Sequence, residues 1–564
     1  GLSEAIREFV VSFHFHKLND IDQEANRYIL QALRDIKVCD PAIGSGAFPM
    51  GILQEIFRMV ELCGEDDVFK DIWQMDEWDS ARVKEEIIQN SIYGVDIEKG
   101  AVDIARLRFW LSIIIDEDEP KPLPNLDYKI VVGNSLLNKF EDHVIDIEWE
   151  IKEGTQTDTK TQDFLEIRSD LLKTISEKQK SYFGTESGNR LILGREIKDL
   201  KIDILVNQLE MKIAQDGIVN EPKLENFKRK AAFVKAQKLY LQTLGWKNVI
   251  ADLKAIKGTN KPFNHFDWNL DFPAILNPII NQEGRGFDLV IGNPPYLRVQ
   301  GIREIDTTYA DLLVKLYSAA TGSFDLYVLF VEVSLRLINS NGIVNFIMPV
   351  KWTNAAFGSG LRQVVTKNSA AFKIINFGAH QVFNASTYTG LQWFKANSDY
   401  LKYFELDRDI LSTNDISKYL KGIQLEKASE ISKDKLDEGS WILSSKEITE
   451  ILNKLNRQPR RMSDIFEKIF QGLATSKDNV YFLYKCKEVG EYVIGFSKQL
   501  DCEVKIERNF VKPLLKGDDV HRYEPIKTDR FVLFPYKLIK NTAQLYEELE
   551  LKNLFPLAYD YLKE

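Results

Sequence analysis

The chain has 564 residues, 44% of them apolar and 28% charged, with a formal net charge of −10. At about 150 residues per domain this is an ordinary globular protein of two to four domains, and the composition excludes disordered, collagen-like and membrane-spanning classes. A negative whole does not announce a nucleic-acid binder, because phosphate contacts need local positive potential, yet residues 454–540 carry 18 Lys and Arg against 12 Asp and Glu.

No basic-apolar leader opens the sequence, which starts at Gly1, so a cytoplasmic protein or a fragment of one is expected. His14 and His16 alternate in FHFHK without acidic or cysteine company and read as surface residues. Next come strand-like segments that each end in a small or polar residue: IKVCDPA (36–42), SIYGVDI (91–97) and YKIVVGN (128–134). A helix, AFPMGILQEIFRMV (47–60), follows the first, and FWLSIII (Phe109 to Ile115) reads as a core helix, too short for the roughly 20 residues of a bilayer span. Residues 150 to about 263 turn charged and helix-periodic, an expected helical insertion between sheet strands.

FDLVIGN (287–293) resumes the strand pattern. Ser323 is placed to cap FDLYVLFVEVSLRLI, whose Leu326, Leu329, Phe330, Val333 and Leu337 form one stripe. GIVNFIMP (342–349) and AFKIINFG (371–378) follow, and TYTGLQWF (387–394) is a last strand and a candidate antiparallel edge. Residues 401–439 read as polar and irregular, and Ser444 to Glu447 offers a capping box for a helix ending near Asn456. Residues 461–564 mix short strands (VYFLY, YVIGF, RFVLFPY) with turns and predict a separate α+β domain, which reaches Glu564 without a closing signal and is expected to be partial. Strands apolar on both faces, alternating with helices, predict an open, mostly parallel α/β sheet. Cys39, Cys63, Cys486 and Cys502 are scattered and read as reduced core residues, so neither a disulfide framework nor a structural metal is expected.

Chemistry concentrates at the strand tips. Asp40 ends the first strand and can accept from a ligand ammonium, while Gly44 and Gly46 allow close backbone approach. Asp96 at the second tip can accept both hydroxyls of a ribose, and Asn134 at the third can read an adenine edge. Each alone is equally well a turn residue; three on successive strand tips point to an adenosine-containing cofactor. The fourth strand runs into Asn293-Pro294-Pro295-Tyr296. The prolines remove two backbone donors and set the chain direction, so the Asn293 side-chain oxygen and the Pro294 carbonyl can face one crevice, a site for an NH₂ group. Tyr296 offers a flat surface for the ring that bears it. A nuclease is not expected in these residues, since Asp146 and Glu150-Ile151-Lys152 are too closely spaced for a metal-dependent one.

DPAIGSGAF, GVDIEKGAVDIARLRFWL, YKIVVGNSLL and GNPPYLR, in that order, resemble the motifs of amino-group DNA methyltransferases of the gamma arrangement. DLYVLFVE (325–332), FIMPVKW (346–352) and QVFNASTYTG (381–390) resemble the large methyltransferases of type IIG restriction-modification and related phage-defence systems, and IFQGLATSKDNVYFL with VKPLLKGDDVHRY is similar to the start of their target-recognition domain. The resemblance implies a Rossmann-like S-adenosylmethionine-dependent methyltransferase sheet at 1–150 (cofactor half) and 263–400 (catalytic half), an insertion at 151–262, a linker at 401–460 and a partial α+β target-recognition domain at 461–564. It implies S-adenosylmethionine held by Asp40, Pro41, Gly44, Gly46, Phe48, Asp96, Ile97 and Asn134, the last standing where the family commonly has Asp. Asn293, Pro294, Pro295 and Tyr296 are then catalytic, Tyr296 and Phe383 stack on a flipped base, and no metal takes part. The implied partner is double-stranded DNA, methylated at adenine N6, with any nuclease domain or subunit outside this segment. Protein glutamine methyltransferases also carry Asn-Pro-Pro-Tyr, and that activity or a noncatalytic DNA-binding scaffold is the alternative.

Overall fold

The strand-like segments assemble into one sheet of nine strands. In the computed structural model, which describes residues 23–564 except 65–66, 118–125, 150–158, 184–186, 228, 384–387, 407–427, 445, 469–471, 474, 476, 526 and 540–541, these are β1 (Val38–Asp40), β2 (Ile92–Asp96), β3 (Ile130–Val132), β4 (Phe287–Gly292), β5 (Ile338–Pro349), β6 (Ala371–Asn376), β7 (Thr389–Phe394), β8 (Tyr400–Glu405) and β9 (Ser429–Ser432). Their order is β9-β8-β6-β7-β5-β4-β1-β2-β3. Every pairing from β5 through β4, β1 and β2 to β3 is parallel. The sheet belongs to the larger of two compact units, Gly1–Asn453; the other is Lys454–Glu564.

Alternation along each strand sends one set of side chains to each face. On one face Ile92 and Ile130 pack with α1 (Ala47–Cys63), α2 (Ser80–Ser91) and α3 (Lys99–Ile114). On the other, Tyr93, Val95, Val290, Val344 and Phe346 pack with α7 (Thr307–Leu316) and α8 (Tyr327–Leu337). The expected α/β class therefore holds. Between β3 and β4 lie three long helices, α4 (Thr159–Phe183), α5 (Ser187–Asp216) and α6 (Lys230–Ile256). Among the described residues no helix is long and apolar enough to cross a membrane.

Six expectations are corrected. TYTGLQWF forms an antiparallel strand, but an interior one: β7 pairs with both β5 and β6. Its polar Gln392 tolerates full burial because Nε2 donates to the Met348 carbonyl at 2.9 Å and Oε1 accepts from Trp352 Nε1 at 2.8 Å. The sheet continues into β8 and β9, within the stretch read as irregular. Ser323 does not cap α8, because residues 324–326 are bonded to 297–299 (Val299 N–H to Phe324 O, Leu326 N–H to Leu297 O) and the helix begins only at Tyr327. The helix is buried beyond a single stripe, with Val328 and Val331 enclosed as well as Leu329. In FWLSIII, Phe109 and Ile113 are core residues, but Leu111 and Ile115 are exposed. Cys39 and Cys63 are buried, whereas Cys502 opens a strand with only Ile506 turned inward and is exposed. The helix near Asn456 spans Lys446–Asn456; the Glu447 side chain lies outside the described residues, as do His14 and His16.

The Lys454–Glu564 unit holds an antiparallel sheet of β10 (Phe482–Val489), β11 (Tyr492–Ser497), β12 (Cys502–Glu507), β13 (Val511–Pro513) and β14 (Phe531–Leu533), ordered β12-β11-β10-β14-β13. Its C-terminal helix, Pro556–Lys563, packs Ala558 and Tyr561 against Leu483, Val493 and Ile506. The Tyr561 hydroxyl meets Ser497 Oγ at 2.8 Å.

One buried ion pair ties the long helices to the sheet unit: Lys201 Nζ on α5 lies 2.5 Å from Asp271 Oδ1, both side chains nearly inaccessible. Removing one partner of such a pair strands the other charge. Lys201→Met is expected to lower unfolding free energy by about 3–5 kcal/mol, read as a shift of the urea midpoint at constant slope.

Candidate active site

The tips of β1 to β4 meet around a cavity of about 440 Å³. Pro41, Asp96, Ile97, Asn134, Asn293 and Pro295 all line it, so residues from all four motifs come together. Leu297, Ile302, Leu326 and Phe330 supply apolar wall. The loops are stitched to one another: Ser135 Oγ donates to the Pro41 carbonyl at 2.6 Å, and the Ile43 N–H to Val95 at 3.0 Å.

Asp40 is 1% exposed and is not among the residues that line this cavity. Burial pushes its carboxyl up to about 8; the hydrogen bond from Ala42 N–H opposes the shift, and the Asp96 charge adds to it. A Cβ on Gly292 would stand 2.5 Å from Asp40 Oδ1, so only glycine lets β4 approach this acid. Asp96 accepts from Gly44 N–H (2.8 Å, Oδ2) and Glu98 N–H (2.9 Å, Oδ1), which locks the glycine loop to β2 and leaves each oxygen a second lone pair for a ligand. Gly44 and Gly46 both have positive φ, 52° and 82°. A Cβ at Gly46 would press on Ala105 of α3 at 3.1 Å, so its smallness serves helix packing. Phe48 is placed elsewhere, among Ile347, Ile375 and Phe377.

Asn134 reaches the cavity with its amide already engaged. Oδ1 accepts from the N–H groups of Leu136 and Leu137 at 2.9 and 3.1 Å, and Nδ2 donates to the Tyr309 hydroxyl at 3.1 Å. The oxygen expected to read an adenine edge is thus held by the chain, and the group left to donate there is the Tyr309 hydroxyl, on the same cavity wall. Sequence reading missed Tyr309. It comes from α7, 175 residues from Asn134, and no local pattern signals that meeting.

Asn293 is exposed and Pro294 buried; among the described residues neither the Asn293 side chain nor the Pro294 carbonyl has a hydrogen-bond partner. Tyr296 differs. Its hydroxyl donates to the Ile347 carbonyl at 2.8 Å, and its ring meets Tyr327 edge-on at 6.0 Å, so the ring is held while its remaining surface borders a second cavity of about 970 Å³. The two cavities share the segments 293–298 and 325–327 as a common wall. The second is also lined by Lys351, Asn376, Tyr388, Tyr403 and Trp441. Phe383 is partly exposed and lies beside 384–387, outside the described residues; the aromatic that lines the cavity from that segment is Tyr388. Among the described residues no group of three or more His, Cys, Asp or Glu is placed to hold a metal ion.

A family model described as the Eco57I restriction-modification methylase matches residues 90–383. The type II restriction enzyme and methyltransferase RM.Eco57I of Escherichia coli is 28% identical over 288 residues, which is 49% of this chain and 28% of that protein. The type II methyltransferase M.BstVI of Geobacillus stearothermophilus is 25% identical over 52% of each chain. A nuclease-deletion mutant of the Type ISP restriction-modification enzyme LlaGI, solved with a DNA substrate mimic, aligns over 80% of this chain and 28% of that one, at 15% identity and a TM-score of 0.39. The chain thus spans between about a quarter and a half of the curated relatives described here.

The buried Asp40 carries a pH signature. Its folded pKa of about 8 exceeds the ordinary 3.8, so the native state holds this proton more tightly and the group's contribution to stability falls as pH rises through that window. Asp40→Asn removes the slope. Relative to wild type, the variant is expected to gain stability between pH 5 and 7.5, on the order of 1 kcal/mol per pH unit, measured by urea denaturation at both pH values.

Proposed function

The chain belongs to the Eco57I restriction-modification methylase family, and on that premise we propose that it methylates the N6 amine of an adenine turned out of double-stranded DNA. The observation that carries this reading is the pair of unpartnered acceptors, Asn293 Oδ1 and the carbonyl of the adjoining buried Pro294, at the strand tip where Asn293 and Pro295 line a nucleoside-sized cavity and Tyr296 lines an aromatic one.

The first cavity suits S-adenosylmethionine. Asp96 offers free lone pairs for ribose hydroxyls, the Tyr309 hydroxyl meets an adenine edge, Pro41, Ile97 and Phe330 cover the ring, and the buried Asp40, protonated near neutral pH in the unliganded chain, gains its charge only if the ammonium end comes to lie beside it. Bound there, the cofactor supplies an already activated methyl group, so the chain's own work is positioning. Asn293 and Pro294 accept both N–H bonds of the target amine, which leaves the nitrogen lone pair as its one free direction. As the nitrogen gains a bond it gains positive charge, and the two oxygens stabilise that charge until one proton leaves. Tyr296 presents its ring because its hydroxyl is tied to Ile347. The amine lies inside a duplex, so the base must leave the stack, and contact with Tyr296 and Tyr388 offsets part of that cost. Adenine is assigned on the Asn-Pro-Pro-Tyr motif; the paired acceptors serve cytosine N4 equally.

Target reading is assigned to the Lys454–Glu564 unit, which contains the whole of the basic-leaning stretch 454–540. Any cutting activity of a longer parent protein is assigned to sequence outside these residues.

The test is single-molecule sequencing of DNA from a methylation-free bacterial host that expresses the protein or its Asn293→Ala form. Wild type is expected to leave N6-methyladenine in one recurring short sequence. Asn293→Ala is expected to lose about 10²-fold or more in methyl-transfer rate while its calorimetric affinity for S-adenosylmethionine stays within about threefold, a change below 0.7 kcal/mol. Methylated glutamine in host proteins with unmodified DNA would transfer the reading to a protein substrate.

A further inference from the structure

The rim of the second cavity carries two groups that the methyl-transfer step does not use, Lys351 and Ile442. Lys351 lies on the single helical turn Val350–Thr353 that follows β5. The turn is held by the fully buried Trp352, whose Nε1 donates to Gln392 Oε1 at 2.8 Å and whose carbonyl accepts from Arg362 at 2.6 Å. The Lys351 ammonium is exposed and makes no ion pair or side-chain hydrogen bond among the described residues. Arg298, the cavity's other strong cation, faces Asp325 at 3.8 Å. An unpaired cation on a rigid turn beside the target pocket has the chemistry of a phosphate contact.

Ile442 is 72% exposed between a buried Trp441 and a half-buried Leu443. The loop that bears it is sewn onto the Lys351 turn. The Trp441 N–H donates to the Thr353 carbonyl at 2.8 Å, Ser440 Oγ to the Asn354 carbonyl at 3.1 Å, and the Trp441 and Trp352 rings meet at 5.2 Å. A branched apolar side chain is thus held out in water by a backbone that cannot fold it inward. Proteins that distort duplexes use such residues as wedges between base steps, with cations on the flanking phosphates.

We propose that this rim holds the duplex open, with Ile442 entering the space the target base vacates and Lys351 gripping a phosphate of the extruded nucleotide. The proposal rests on the reading of the site as a DNA methyltransferase. Both are positioning residues, remote from the reacting atoms.

The test uses the whole protein, labelled S-adenosylmethionine and duplexes carrying the sequence found in the host methylome, with the target adenine either paired or opposite an abasic site. Ile442→Ala is expected to cut kcat/KM by about tenfold on the paired duplex, as loss of 1.4 kcal/mol does, and by less than about threefold where unpairing costs little. Lys351→Gln is expected to reduce the slope of log affinity against log salt by about 0.9, the value for one phosphate contact in duplex DNA, and Lys351→Arg to restore it. Equal losses on the two duplexes, or an unchanged salt slope, overturn the assignment while leaving the methyltransferase reading intact. A wild-type protein inactive on both duplexes overturns that reading and the rim's role with it. Because both side chains are exposed, unchanged melting temperatures are expected and separate these effects from misfolding.

Discussion

The pairing of β1 with β4 is the contact on which the site depends. Val38 and Cys39 lie opposite Leu289 and Val290, and the register is clamped at its start by Lys37 N–H donating to Asp288 Oδ2 at 2.7 Å and Asp288 N–H returning to the Lys37 carbonyl at 2.9 Å. These residues are 251 apart in the chain. With three residues in β1, a slip of one would move Cys39 and Asp40 each to the other face of the sheet and part the acid from the glycine that admits it. In the observed register the tip that bears Asp40 lies beside the tip that opens into Asn293. The tips of β1 to β3 and the tip of β4 become one site because of that adjacency.

Around this junction polar groups fall into two populations. Those that shape the site are spent on the chain itself: Asp96 on Gly44 and Glu98, Asn134 on Leu136, Leu137 and Tyr309, the Tyr296 hydroxyl on Ile347, Gln392 on Met348 and Trp352. Asn293 and the Pro294 carbonyl are left unspent. A rigid frame with a few unsatisfied acceptors is how preorganised binding works, because the frame pays its ordering entropy on folding rather than on binding. The exposure of Asn293 keeps its lack of a partner inexpensive, since water satisfies it until a ligand arrives.

Much of this frame was legible in the sequence, for a physical reason. Strands covered on both faces are written as continuous apolar runs, and β1 through β5 announce themselves that way; the small or acidic residue at each end marks the turn into the site. Legibility stopped where a feature depended on remote partners. Nothing in TYTGLQWF says that two strands flank it, because Gln392 becomes a core residue only once Trp352 and Met348 are in place. Ser323 has the chemistry of a helix cap, and only the bonding of 324–326 to 297–299 denies it that role. β9, with Ile431 its one apolar residue, carries almost no strand signal and is held by the edge it completes. Tyr309, Lys351 and Ile442 reach the two cavities through tertiary packing alone.

The long helices between β3 and β4 raise a mechanical question, since they separate the two halves of the site by more than a hundred residues. The answer lies where they leave and return. Asn138, just past β3, donates through Nδ2 to Asp267 Oδ2 at 2.7 Å, closing the excursion 129 residues later within one hydrogen bond of its start. Trp268 Nε1 then donates to the Ser135 carbonyl at 3.0 Å, on the very loop that carries Asn134. Loop-closure entropy grows only logarithmically with length, so a clasp of this kind makes a long insertion nearly as tolerable as a short one. The buried Lys201–Asp271 pair fastens the far side of the same clasp, because Asp271 Oδ2 also accepts the Asp267 N–H at 2.9 Å. The helices are therefore anchored to the loop that carries Asn134, through the bond of Asn138 to Asp267 and that of Trp268 to Ser135.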